Sequence, residues 1–383
     1  MSVRILNCDV LEGLKQISDE SVHMVCTSPP YFGLRSYLPD DHPQKMLEVG
    51  LEASPEAYIA HMVEIFREVR RTLRDDGSLW VNIGDSFCST DKWGGGIGGN
   101  TGKQIVNGDT VPSWAVRKKR TRFEGIKPKD LIGIPWMLAF ALRADGWWLR
   151  RDIIWAKANG MPDSAEDRAG SAHEYIFHLT KSATYYYDHK AVRLQPMPES
   201  VGRLARAMRK NLGEGSFVVS GGGYAPPGQP PHQGARARAS DKQRGHGRRH
   251  AGFNDRWDAM ERAQQQSEGA GLRSVWWLAP GGFPEAHFAT MPEELAAACI
   301  LAGCPEGGVV LDPFSGAGTT IIVGDRLKRD AIGIEINSEY VEMSERRLAR
   351  DRLERGVGTM TDVKAAKLDP TPLEALMMET GDA

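Results

Sequence analysis

The sequence is short of cysteine, of long apolar runs and of net charge. Its five cysteines, Cys8, Cys26, Cys88, Cys299 and Cys304, form no CxxC pair. That argues against a zinc site or a disulfide framework and fits a reduced, cytosolic protein with no metal. No run approaches the ~18 apolar residues of a membrane span, and the opening MSVRILNCDV has no signal-peptide core. A cytoplasmic protein with no membrane partner is therefore expected. There is no GxGxxG and no Walker lysine, so a dinucleotide or ATP is disfavoured, and no internal repeat. With 41% hydrophobic residues in 383, wholesale disorder is excluded and one large or two modest domains are expected.

The near absence of net charge, −2 from 48 Lys+Arg against 50 Asp+Glu, argues weakly against a nucleic-acid partner, because a total hides its distribution. Residues 190–273 hold 15 Lys and Arg against 7 Asp and Glu, a net of +8, which leaves −10 for the remainder. A basic stretch interrupts an acidic body.

Along the chain, residues 3–6 and 23–26 have strand length, with a helix-like LEGLKQI segment between them. Residues 58–73 carry apolar side chains at helical spacing and stop at Asp75-Asp76-Gly77, before a buried strand over 78–83. Residues 86–129, with GGGIGGN and the run Arg117-Lys118-Lys119-Arg120, read as a long mobile loop. A helix over 135–143, a strand over 148–155 and a hairpin pairing 175–180 with 184–187 follow. From about 195 to 271 the chain is rich in Gly, Pro, Arg and Gln, with little capacity for a core. Thereafter helices are expected over 292–301, 319–327 and 338–355, strands over 309–311 and 331–336, and a loose tail beyond 357. This rhythm predicts an α/β sheet, mostly parallel, with an antiparallel hairpin edge.

The most informative segment is VVLDPFSGAGTT, residues 309–320. A buried strand enters a glycine-containing turn and then a helix, so that the backbone can turn tightly and a ligand can approach. Glu335 comes 23 residues after Asp312, at the tip of the next strand, where a carboxylate can accept hydrogen bonds from ribose hydroxyls. DPFSGAGTT followed by GIEI resembles the S-adenosyl-L-methionine site of the amino-directed DNA methyltransferases. That resemblance implies a Rossmann-like fold in which Asp312, Phe314, Gly316 and Gly318 line the methionine and ribose side and Glu335 holds the ribose. It also brings in Ser315, Thr319 and Thr320 of the turn, Thr27, Asp9 of Cys8-Asp9 at the cofactor's adenine, and His287 and Thr290 of the HFATMP segment.

Near the other end, Thr27-Ser28-Pro29-Pro30-Tyr31 directly follows a predicted strand. The two prolines fix a rigid turn with exposed carbonyls, beside a hydroxyl and an aromatic face. An exocyclic amine is a poor nucleophile because its lone pair is delocalised into the ring. Ser28 Oγ and the Pro29 carbonyl can accept its two N–H groups, and Tyr31 can stack on a base extruded from the duplex. Ser28, Pro29, Pro30 and Tyr31 are thus the candidate catalytic residues. The segment resembles the (Asp/Asn/Ser)-Pro-Pro-(Tyr/Phe) motif of the same family, and its extension FGLRSY is also familiar there. The order, SPPY before DPFSGAG with an insertion between, resembles the permuted β class. Residues 155–159 and 173–176 resemble segments around that class's base pocket.

These likenesses imply a catalytic part over 1–190, a target-recognition region inserted over 191–275, a cofactor-binding part over 276–357 and a tail over 358–383. They imply double-stranded DNA as partner, a homodimer, and restriction–modification in a bacterial or phage setting. Arg236, Arg238, Arg244, Arg248 and Arg249 of the basic stretch, with Arg117–Arg120 as a second loop, are the candidate DNA contacts. A cytosine-C5 mechanism fails, because no cysteine follows a proline. An RNA or protein substrate would keep the same cofactor site. Ser28 is commoner among cytosine-N4 members, whereas FGLRSY and the lack of a fused nuclease resemble solitary, often adenine-directed enzymes. The expectation leans narrowly to adenine N6, with cytosine N4 as the alternative.

Overall fold

The computed structural model describes residues 1–34, 36–88, 105–106, 109–110, 123, 125–158, 160, 165–192, 272–280 and 291–357. The chain divides into two units, Met1–Val192 with Arg273–Ala383, and Arg193–Leu272. All elements named below belong to the first.

An eight-stranded sheet forms its centre. The chain enters with β1 (Val3–Asn7), α1 (Val10–Lys15) and β2 (Val22–Thr27). Helix α2 (Pro55–Thr72) is capped by Ser54, whose hydroxyl accepts from Ala57 N, and has proline in its first turn. It buries Tyr58, Ile59, Met62, Ile65, Phe66 and Val69, a 3.6-period stripe against the sheet. Strand β3 (Leu73–Ile83) follows without a break, and Asp75-Asp76-Gly77 lies inside it rather than between helix and strand. Val22 pairs with Leu73 and Met24 with Ser78, so the intervening residues bulge out of the ladder. Short strands β4 (Ile105–Val106) and β5 (Asp109–Thr110) pair antiparallel. Then come α3 (Ile134–Ala144), β6 (Trp148–Lys157), β7 (His173–Thr180) and β8 (Val275–Leu278). The chain continues through α4 (Glu293–Gly303), β9 (Val309–Asp312), α5 (Thr319–Arg326), β10 (Asp330–Glu335) and α6 (Ser338–Glu354).

The sheet order is β1-β10-β9-β2-β3-β7-β6-β8. Every neighbouring pair is parallel except those made by β7, which runs antiparallel to both β3 and β6. The mostly parallel α/β sheet is therefore as expected, but the hairpin is β6–β7. Residues 184–187 form no strand, for a simple reason: both edges of β7 are already taken. The backbone there turns elsewhere, with Tyr186 N donating to Asp76 O and Asp188 N to Ala302 O. Strand β8, in a segment with no strand expected, closes the edge through Ile154↔Val275 to Lys157↔Leu278.

The topology decides where ligands can sit. From β2 the chain proceeds to β3 on one side, and from β9 to β10 on the other. The gap between neighbours β2 and β9 is thus the switch point, and ligands bind outside the carboxyl ends there. Because β7 is reversed, its first residues reach the same end of the sheet. Among the described residues, no helix is long and apolar enough to cross a membrane.

Candidate active site

Two segments far apart in sequence leave the sheet side by side. Ser28-Pro29-Pro30-Tyr31 follows β2, and the glycine turn follows β9, with Val25 paired to Leu311. Together they open a cleft of about 370 Å³ whose lining includes Asp9, Ser28, Pro29, Pro30, Tyr31, Asp312, Phe314, Ser315, Gly316, Thr319, Thr320 and Glu335.

On the glycine-turn side the walls are carboxylates. Thr27 is fully buried and does not line the cleft, and it donates from Oγ1 to Asp312 Oδ1 at 2.6 Å. Phe314 N donates to the same oxygen at 3.1 Å. Burial nevertheless pushes the Asp312 pKa up to about 6, against the opposing bonds from Thr27, Thr320 and Phe314 N. Glu335 accepts from Gly316 N at 2.8 Å and from Asn337 N at 2.9 Å. Its pKa is pushed up to about 7, chiefly by burial, with those amides pulling the other way and Asp312 adding repulsion. Gly316 has φ +50, and a Cβ there would project into open space. Gly318, at φ +79, does not line the cleft; it is the N-cap of α5. Asp9 caps α1 through Leu11 N and Glu12 N while also facing the cleft.

On the SPPY side the turn is clamped from behind. Tyr58 OH donates to Pro30 O at 2.9 Å, so of the two proline carbonyls that of Pro30 is already used. The Tyr31 ring lies against Gly84, where a Cβ would come within 2.8 Å of its Cε2. Its hydroxyl donates to Glu174 Oε2 at 2.6 Å. Glu174, at the start of β7, also accepts from Asn82 Nδ2 at 3.1 Å and from Lys157 Nζ at 2.6 Å. Burial, then the neighbouring Glu174 charge, hold the Tyr31 hydroxyl far above the ordinary phenol pKa, with a bond from Ser28 opposing. Tyr31 is a neutral donor.

Asn82, Lys157 and Glu174 line the cleft, yet were not among the candidate site residues. The segments containing Lys157 and Glu174 carried only a likeness to a base pocket, and nothing in a sequence says which strands β7 pairs with. His287, Thr290, Arg117, Lys118, Lys119, Arg120, Arg236, Arg238, Arg244, Arg248 and Arg249 lie outside the described residues. So do most of the loop over 86–129, the basic stretch and the tail.

The sequence pattern of the DNA methylases matches residues 22–346. The chain belongs to the DNA methylase family. The methylase is 38% identical over 340 residues to the Type II methyltransferase M.Cfr9I of Citrobacter freundii, covering 89% of this chain and 85% of that protein. It is 36% identical over 351 residues to the Type II methyltransferase M.SmaI of Serratia marcescens, covering 92% of each. Among solved structures, the PvuII DNA methyltransferase, described as cytosine-N4-specific, aligns with a TM-score of 0.51 at 17% identity. That alignment covers 96% of this chain and 91% of the other, and shows a shared fold.

The cofactor of the methylase is S-adenosyl-L-methionine. The residues present fit that group. Asp312 and Glu335 are acidic side chains beside a cleft, held by hydrogen bonds from hydroxyl and amide donors, and suit a ligand that brings hydroxyl donors and positive charge. Ser315 Oγ is buried with no hydrogen-bond partner among the described residues.

Proposed function

We propose that the enzyme methylates the exocyclic amino nitrogen of a base flipped out of duplex DNA at a specific site. The observation that carries this reading is the opening of Ser28-Pro29-Pro30-Tyr31 onto the same cleft as Asp312 and Glu335. S-adenosyl-L-methionine supplies an electrophilic methyl group when bound. Glu335 accepts its ribose hydroxyls, and Asp312, bonded to Thr27, braces the turn that carries Phe314. Across the cleft, Ser28 Oγ and the Pro29 carbonyl accept the two N–H groups of the base, favouring a more tetrahedral nitrogen whose lone pair is freed from the ring. Tyr31 offers its face to the base while Glu174 fixes its hydroxyl. Catalysis then rests on positioning and electrostatics.

Between adenine and cytosine, the lean to adenine drew on the FGLRSY extension and the lack of a fused nuclease. Phe32 packs on Tyr58 and Phe123 at centroid distances of 5.5 and 5.2 Å, and Ser36 bonds Glu48 at 3.3 Å. Those two side chains have structural duties, while Leu34 and Tyr37 of the same segment line the cleft. Two observations support cytosine N4 instead. Position 28 is a serine, and the cleft is lined by Lys157, whose ammonium has N–H groups beyond the one that Glu174 accepts, whereas the Asn82 amide is spent on Glu174 and Tyr175 O. Along the Watson–Crick edge, cytosine offers two acceptors, N3 and O2, where adenine offers N1 alone. Reading a flipped base along that edge rewards such donors. The basic stretch over 191–275 is the DNA-recognition region in this reading, and pairing into a homodimer rests on the family likeness.

The test is mass spectrometry of nucleosides from DNA incubated with enzyme and labelled cofactor. N4-methylcytosine is expected. N6-methyladenine would reverse the choice of base, and label uptake that ignores DNA would overturn the reading as a whole.

A further inference from the structure

Between Tyr31 and α2 lies a short 3-10 turn, Lys45–Leu47. Lys45 N donates to His42 O and Leu47 N to Gln44 O, both at 2.9 Å. The two charged residues that flank its tip face inward. Lys45 Nζ lies 2.7 Å from Glu48 Oε2, with the side chains 14% and 2% exposed. Lys45 Nζ also donates to Leu38 O and to Ser36 Oγ, and the Glu48 carboxylate accepts from Tyr37 N and Ser36 Oγ. Leu47, Glu48 and Val49 line the cleft.

The residue between them does the opposite. Met46 is 92% exposed, more than any other large apolar side chain among the described residues. A free methionine on an ordinary loop would be unremarkable. Here it stands on a turn whose neighbours on both sides are committed to a buried ion pair, one residue before the cleft wall begins. A base that leaves the duplex to reach Ser28 leaves a gap in the stack, and enzymes and architectural proteins hold such gaps open with apolar wedges, methionine among them.

We infer that Met46 is the wedge that enters the base stack of duplex DNA and holds the target base out, with Lys45 and Glu48 fixing the turn that presents it. This rests on the reading that the enzyme methylates a flipped base. The ion pair keeps the turn from folding back as Met46 meets the DNA, and Leu47 continues the apolar surface from the stack to the cleft.

The test compares methyl transfer to two duplexes: one fully paired, and one with the target base opposite an abasic site, where less stacking and no pairing hold it in. Met46→Ala is expected to lower kcat/KM on the paired duplex about tenfold and to recover to within about twofold of wild type on the abasic one. Met46→Leu, which keeps the bulk, should stay close to wild type on both. Cofactor affinity by calorimetry should be unaltered in both variants. A Met46→Ala enzyme as active as wild type on the paired duplex overturns the wedge alone, as does a loss of equal size on both duplexes. Wild-type enzyme inert toward both would remove the base-methylation reading, and the wedge with it.

Discussion

Thr27 Oγ1 donates to Asp312 Oδ1 across 2.6 Å, joining residues 285 positions apart. Thr27 ends the strand that leads into SPPY, and Asp312 ends the strand that leads into the glycine turn. One buried hydrogen bond thereby sets the spacing between the residues assigned to the base and those assigned to the cofactor. Thr27→Val keeps the shape and removes the donor, leaving a buried carboxyl short of a partner at a cost of about 1–3 kcal/mol. Urea denaturation should show that loss with an unchanged m-value, and calorimetry should show weaker S-adenosyl-L-methionine binding. Unchanged cofactor affinity would mean that the bond serves folding only.

The raised carboxyl pKa values give a pH signature. Asp312 at about 6 and Glu335 at about 7 hold their protons more tightly in the folded protein than in the unfolded chain. Their contribution to stability is complete at low pH, below the ordinary carboxylate range, and is lost as pH rises through 6 and then 7. At about 1.4 kcal/mol per unit, the Glu335 shift from 4.5 to about 7 amounts to on the order of 3 kcal/mol. Without cofactor, wild type should lose stability relative to Glu335→Gln between about pH 5 and 7.5. Cofactor affinity should move the other way, rising with pH, because the ionised carboxylate is the better acceptor for ribose hydroxyls. Calorimetry in buffers of different ionisation enthalpy should detect proton release on binding near pH 6.5 if this is so, and none if Glu335 stays protonated.

In the proposed reading Glu174 positions Tyr31, whose hydroxyl donates to it at 2.6 Å. Glu174→Ala should lower kcat about tenfold by letting the ring wander, an effect in the range of misplaced catalytic groups. Glu174→Gln should recover part of it, since an acceptor oxygen remains. Tyr31→Ala should abolish most turnover, and Tyr31→Phe should retain the stacking face. In all four variants the cofactor dissociation constant should stay close to wild type. A parallel loss of cofactor binding would assign Tyr31 to the wrong side of the cleft.

The basic stretch makes a prediction of its own from sequence. If Arg248 and Arg249 each neutralise one phosphate, replacing both by glutamine should flatten the slope of log affinity against log salt by about 1.8. An unchanged slope would leave the stretch without a role in DNA contact.

Much of this was legible in the residues. The SPPY turn, the glycine turn and Glu335 declare themselves because each needs particular side chains at fixed spacing next to a strand. Helical periodicity located α2, and alternating strands and helices gave the parallel sheet. What stayed hidden depends on contacts between distant segments. An antiparallel pairing of 175–180 was legible but its partners were not, and it is pairing with β3 and β6 that brings Glu174 beside Tyr31. Nor was β8 legible, four residues that become a strand only because β6 offers an edge. Asp75-Asp76-Gly77 reads as a terminator, yet it bulges inside β3 because Leu73 already pairs with Val22. Thr27 and Gly318 sit among the cofactor motifs, yet neither lines the cleft: one bonds Asp312 and the other caps α5.

Gly318 is the clearest case of a motif residue held for packing. Its φ of +79 lies in the left-handed region, where a Cβ costs about 1–2 kcal/mol. It also faces α6, and a Cβ there would collide with the side chain of Ser344, which is itself buried. Gly318→Ala should therefore destabilise the protein by more than the backbone term alone, read as a lower midpoint in thermal or urea denaturation. The double variant Gly318→Ala/Ser344→Gly separates the two causes. Removing the Ser344 side chain relieves the collision and leaves the backbone strain, so stability should return only in part. Measured against Ser344→Gly alone, which carries its own helix cost of up to about 1 kcal/mol, full recovery would show that φ imposes nothing at this position, and no recovery would show that α6 does not press on the turn. Either result would change why a glycine is needed there, and the partial recovery expected here would place its role in the joint between the cofactor turn and α6.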